Sequence, residues 1–224
     1  MNALEKAKAH FQRIGLAEED TLLGRQALAE FYFLSRQFED AIVYLESIEE
    51  YIQEDGEKDT YHINLGISLA AFGKYKEGLS HLLSVSKTSY KSELEYNLWL
   101  IKCYIMTNNA DEAWECYLQT EDEHISSEIL QLIGNDCYKL GGDLFLFSAR
   151  AFYELLKMDS YQDYTDGLSG SSVGVLKNNL ISGETETDSL LEVVNMLEEQ
   201  SQQKCLDVAS SIQNYIDGKC YLEY

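Results

Sequence analysis

The chain has 224 residues, in which 39 Asp and Glu outweigh 17 Lys and Arg for a formal charge of −22. That charge repels nucleic-acid phosphates and anionic lipid, so the expected partners are proteins. At 45% hydrophobic and 25% charged residues, with no apolar run long enough to cross a bilayer and no secretory leader in the first residues, the expected compartment is cytoplasmic or continuous with cytoplasm.

Proline is absent, so helices meet few obligatory breaks, and no segment alternates apolar and polar residues as a half-buried strand requires. An all-α fold follows. In chain order, the first expected helix covers Ala3 to Ile14, with Leu4, Ala7, Phe11 and Ile14 as its apolar stripe. A repeat then begins. Ala29, Gly66, Ile101 and Asn135 stand 37, 35 and 34 residues apart, close to the tetratricopeptide period of about 34. Three residues after each anchor come Tyr32, Leu69, Tyr104 and Tyr138, one turn further on the same helix.

Small residues, Ala41, Gly78 and Ala113, follow the first three anchors at a constant interval and let a second helix approach the first. Leu45, Leu82 and Tyr117 lie one turn beyond them. In the fourth repeat Ala149 and Tyr153 take these places if the corner is lengthened. Arg36-Gln37, Gly73-Lys74, Asn108-Asn109 and Gly141-Gly142 fall at the corners, where left-handed or capping conformations are needed. Ser92 with Glu95 fits a capping box, and Asn109 with Asp111 and Glu112 fits a helix start. The alternative is an ordinary helical bundle with accidental spacing. The expected fold is a tetratricopeptide-like α-solenoid of helical hairpins over residues 1–166, with a C-terminal helical cap over 167–224. Gly167 to Ser172 is expected to separate the two, before helices near Val173 to Ile181, Ser189 to Glu199 and Lys204 to Ile216, the last stopped by Gly218.

No chemistry competes with this reading. His10, His62, His81 and His124 offer no helical i, i+4 pair for a metal, and the five cysteines form no C-x-x-C pair. Cys103 and Cys137 share a repeat position, which favours packing over reactivity. The glycine-rich stretch lacks the lysine order of a phosphate loop. No catalytic residue, cofactor or metal is expected.

The inner face of such a solenoid, lined by the first helices, is where binding is expected. Gln26, Glu30, Lys102, Ile105, Asp136 and Lys139 are candidates to face it. At the places where related co-chaperones grip a terminal carboxylate stand Gln26, Glu30, Asn64 and Glu95, too acidic a set for an anionic chain end.

Several strings are more specific than the repeat. Lys8-Ala9-His10-Phe11-Gln12, Arg36-Gln37-Phe38, Trp99-Leu100 leading to Cys103-Tyr104-Ile105-Met106, Ala113-Trp114-Glu115, and Asn135-Asp136-Cys137-Tyr138-Lys139 occur in this order. The chain resembles, from about Lys8 through Val175, the C-terminal part of the intraflagellar transport protein 56 family, also called tetratricopeptide repeat protein 26. The resemblance implies a non-catalytic scaffold or adaptor subunit of intraflagellar transport complex B. It implies intraflagellar transport protein 46 as direct neighbour, motility-related ciliary cargo, and a place in the cilium, flagellum and basal body. It also implies that the chain is a fragment or a shortened relative. Its acidic tail after Gly183 and its lack of corner prolines depart from the family pattern. From the family, the groove around Trp99, Tyr104, Asp136 and Tyr138 is carried over as a binding region. The alternatives are a general tetratricopeptide peptide-binding adaptor outside cilia and an enzyme whose catalytic half would lie upstream of Met1.

Overall fold

The computed structural model describes residues 2–52, 55–183 and 187–220. The Cys220 side chain and residues 184–186 and 221–224 of the acidic tail lie outside the described residues. Those described form thirteen α-helices and a 3-10 turn, with no strand, and fall into two compact units, Met1–Thr107 and Asn108–Tyr224.

The first unit holds α1 (Ala3–Ala17), α2 (Leu22–Leu34), α3 (Phe38–Glu46), α4 (Asp55–Phe72), α5 (Tyr75–Leu83), the short α6 (Thr88–Lys91) and α7 (Leu94–Met106). Local chemistry starts the first two. Asn2 Oδ1 accepts from the Glu5 amide at 2.8 Å, and Thr21 Oγ1 accepts from the Gly24 amide at 3.1 Å. Successive helices then pack as antiparallel-type hairpins, α1 on α2, α2 on α3, α3 on α4 and α4 on α5, the tetratricopeptide-like arrangement expected. Ala29, Ile42, Leu45, Ile48, Tyr61, Leu65 and Leu69 form a continuous core across α2, α3 and α4. Tyr32 stacks on Tyr44 beside it, their planes 13° apart.

The repeat's small residues sit at the crossings. A Cβ on Gly78 would lie 2.8 Å from the Gly66 carbonyl oxygen, so α4 and α5 touch backbone to backbone there. The corners adopt the left-handed conformations their residues suggested: φ is 60° at Arg36, 98° at Gly73, 63° at Asn108, and 72° and 62° at Gly141 and Gly142.

The second unit holds α8 (Ala110–Leu118), α9 (Glu123–Leu140), α10 (Leu144–Met158), α11 (Gln162–Ser182), α12 (Asp188–Glu198) and α13 (Gln203–Cys220). Here the fourth repeat is corrected by one residue. Asn135 is exposed, with its amide turned back to the Gln131 carbonyl at 2.7 Å. Gly134 takes the crossing instead: Ser148 Oγ donates to its carbonyl at 2.7 Å, and a Cβ there would meet the Phe152 ring at 3.1 Å. Gly134, Ser148 and Phe152 thus replace Asn135, Ala149 and Tyr153. Cys137 consequently matches Tyr104 rather than Cys103.

A second correction concerns Gly167 to Ser172. These residues are the interior of α11, which begins at Gln162 and runs unbroken to Ser182. They hold helix because each small residue answers a neighbour. The Ser148 and Ser171 hydroxyls meet at 2.7 Å, Ser172 Oγ donates to the Leu168 carbonyl, Gly167 makes room for Phe152 of α10 and Gly170 for Tyr138 of α9. The helix stops at Gly183, with φ of 68°. Arg150 of α10 grips Glu192 of α12 through two bonds of 2.6 and 2.9 Å.

Two helix starts also differ from expectation. Ser92 closes α6 by donating to the Ser89 carbonyl, and α7 opens at Glu93 with no side-chain cap, so no capping box forms. Asn109 precedes α8 without a capping bond, although Asp111 and Glu112 occupy its first turn as expected. Gly218 lies inside α13 and does not stop it.

Candidate interaction groove

Within the first unit, α1, α2, α4, α6 and α7 contribute to a concave groove of about 780 Å³. Its position is set by close approaches between the helices. At the entry to α2, a Cβ on Gly24 would lie 1.9 Å from the Glu18 carbonyl oxygen, and one on Gly15 would lie 2.4 Å from the Leu28 side chain. Only glycine lets α1 fold back so tightly. Phe11 and Ile14 of α1 thereby reach the groove wall, facing Phe33 of α2 and Ile63 and Ile67 of α4.

The far wall depends on Asp59, a buried carboxylate near the start of α4. It accepts the Ser86 amide at 2.7 Å and the Lys87 amide at 3.0 Å, and Ser86 Oγ at 3.0 and 3.2 Å. These bonds, the Ser86 amide first, hold its pKa below the usual carboxylate value. They pin the α5–α6 connection to α4 and so place Tyr90 on the groove. Tyr96 of α7, buried, donates to the Leu82 carbonyl at 2.9 Å and fixes α7 against α5.

Gln26 and Glu30 of α2, Asn64 of α4 and Glu95 of α7 all line this one groove. Burial, and then the Glu95 carboxylate, push the Glu30 carboxyl above its ordinary pKa. A group whose folded pKa is raised binds more protons folded than unfolded, so its ionisation costs stability as pH rises through that window. Glu30→Gln is therefore expected to melt at a higher temperature than the parent at pH 7, the gap narrowing toward pH 5. A lower melting temperature at pH 7 would show that Glu30 is not held in this environment.

The other expected site residues do not join this groove. Trp99, Lys102 and Tyr104 are half-buried on α7 away from its lining, and Ile105, 1% exposed, belongs to the core. Asp136, Tyr138 and Lys139 belong to α9 in the second unit. Asp136 is buried with Lys139 Nζ 3.6 Å away, whereas Tyr138 is exposed and meets Phe145 edge-on.

Sequence spacing missed two features. His62 and His81, nineteen positions apart, meet through their Nδ1 atoms at 3.0 Å where α4 packs on α5. Burial and His62 lower the His81 pKa, and no third ligand completes a metal cluster among the described residues. Asp59 carried no sequence signal among so many carboxylates. The thiols behave as core: burial pushes Cys103 up to about 11 and Cys137 up to about 12, well away from a reactive thiolate. No helix among the described residues is long and apolar enough to cross a membrane.

Comparison with known proteins extends the resemblance beyond Lys8–Val175. The chain matches the family described as Intraflagellar transport protein 56 over residues 1–221. It is also similar to the Intraflagellar transport protein 56 homolog of Caenorhabditis elegans, at 26% identity over 221 residues. That alignment covers 96% of this chain but only 37% of the relative, so the chain spans little more than a third of that protein's length. With a family match running through all thirteen helices, the chain belongs to the intraflagellar transport protein 56 family.

Proposed function

We propose that the chain is a non-catalytic scaffold or adaptor subunit of intraflagellar transport complex B. In this reading it binds other subunits, intraflagellar transport protein 46 among them, and supports delivery of motility-related cargo in cilia and flagella. The observation that carries it is the family match over residues 1–221. The physical support is an all-helical hairpin fold with a concave groove and cysteines whose burial keeps them protonated. Gln26 and Glu30 are proposed as partner contacts in the groove, with exposed Tyr138 and Lys139 offering a further contact on α9. Residues that stay in the core, such as Ile105, would act only by holding shape.

Tagged chain expressed in ciliated cells and recovered in mild salt is expected to bring complex B subunits with it and to localise along cilia and at basal bodies. Recovery of none of them, together with a cytosolic distribution, would replace this reading by a general peptide-binding adaptor outside cilia.

A further inference from the structure

The groove of the first unit carries negative charge that its own fold leaves unneutralised. We infer that it is a docking site for a cationic, amphipathic protein segment, in which lysine or arginine residues stand beside apolar side chains. The inference deepens the adaptor reading, on which it rests for the existence of a protein partner.

Two properties of the groove act together. Its walls present Phe11, Ile14, Phe33 and Ile63, all only half-buried, so apolar surface remains to be covered. Its charged lining residues are Glu30, Glu57, Glu93 and Glu95, and among the described residues no lysine or arginine lines it. Three of these have a local reason to be acidic. Glu57 lies in the first turn of α4, Glu93 precedes α7 and Glu95 lies in its first turn, where the helix dipole favours negative charge.

Glu30 has no such reason. It stands in the third turn of α2, half-buried, close enough to Glu95 for the two carboxylates to repel, and among the described residues no cation pairs with it. An unpaired carboxylate in a partly desolvated, apolar setting is costly, and an incoming ammonium or guanidinium relieves that cost while its aliphatic stem covers the walls. Gln26 and Asn64 add amide groups that can bond to a bound segment's backbone.

Other occupants fit less well. An anionic chain end meets four carboxylates and no cation. A second copy of this chain brings another −22 charges. Phosphate-bearing surfaces are repelled for the same reason.

The test uses the purified chain and a fluorescein-labelled leucine–lysine amphipathic peptide, followed by anisotropy at low and at physiological salt. Because any cationic peptide is drawn weakly to so acidic a protein, two charge-matched double variants decide the matter. Glu30→Gln with Glu95→Gln removes two charges from the groove, and Glu39→Gln with Glu112→Gln removes two exposed charges outside it. The groove pair is expected to weaken binding about tenfold, the outside pair less than about twofold, and a leucine–glutamate peptide is expected not to bind. Equal weakening by both pairs, no weakening by either, or equal binding of the glutamate peptide overturns the docking site. Melting curves of each variant separate lost binding from lost fold, since Glu30→Gln is expected to stabilise. With both components purified, a negative result removes the docking site and leaves complex membership to co-purification. A failed co-purification, conversely, leaves the peptide result standing.

Discussion

Gly174→Val is expected to destabilise the second unit by about 2–3 kcal/mol, lowering its melting temperature by roughly 5 to 10 °C. A Cβ at position 174 would lie 2.4, 2.5 and 2.7 Å from three atoms of the Phe145 ring. The ring cannot easily turn aside, because Tyr138 meets it edge-on at 5.7 Å and Gly141 lies against its opposite end. Intrinsic preference works the other way: exchanging a helical glycine for alanine normally gains up to about 1 kcal/mol. Steric overlap with a packed ring outweighs that gain. Gly218→Ala is the control, since nothing lies within 4 Å of its added methyl on α13, and it should hold or raise the melting temperature. If Gly174→Val melted no lower than the parent, the close contact between α10 and α11 would be wrong.

Asp59→Ala is expected to cost about 2–3 kcal/mol at neutral pH, because it removes charge-assisted bonds to two backbone amides and a hydroxyl. The depressed folded pKa fixes the sign. Its contribution is fully present above the carboxylate's unfolded value and is lost only as pH falls through the lower folded one. Urea titration at pH 7 should show the loss, and hydrogen exchange should show faster exchange at the Ser86 and Lys87 amides. Asp59→Asn, which keeps one acceptor oxygen, should lose less. Unchanged exchange at those two amides in Asp59→Ala would mean that another group holds the α5–α6 connection.

The hairpins were readable because the chain marks both their crossings and their corners. Ala29 with Ala41 and Gly66 with Gly78 are small where helices touch, and Arg36, Gly73, Asn108 and Gly141 occupy corners that need left-handed backbone. The fourth repeat slipped by one residue because α10 buries neighbouring small residues, Ser148 and Ala149, both completely. A serine whose hydroxyl is satisfied inside the fold looks polar in the sequence, so Ala149 drew the alignment to itself. The same ambiguity turned Gly167 to Ser172 into an expected linker. Composition suggests looseness there, and only the opposing rings of Phe152 and Tyr138 reveal why small residues are required.

The groove was partly legible for the same reason as the repeat. The period places α2, α4 and α7 as the first helices of successive hairpins. Gln26, Glu30, Asn64 and Glu95 lie on these helices along one concave face, although at different offsets from Ala29, Gly66 and Ile101. Orientation within a helix was harder to read. Trp99, Lys102 and Ile105 all lie on α7, yet none lines the groove, because its lining residues on that helix are Glu95 and Tyr96 near its start. Asp59 and the His62–His81 contact depend on loops and helix pairs folding back across many residues, and no local pattern announces them.

The order of packing has a kinetic consequence. Within each unit a helix rests chiefly on the helices just before and after it, so most loops closed during folding are short. Short loops lose little chain entropy, and chains of local contacts fold fast. The first unit can therefore begin to form as soon as α1 and α2 have left the ribosome, each later helix adding to a surface already present.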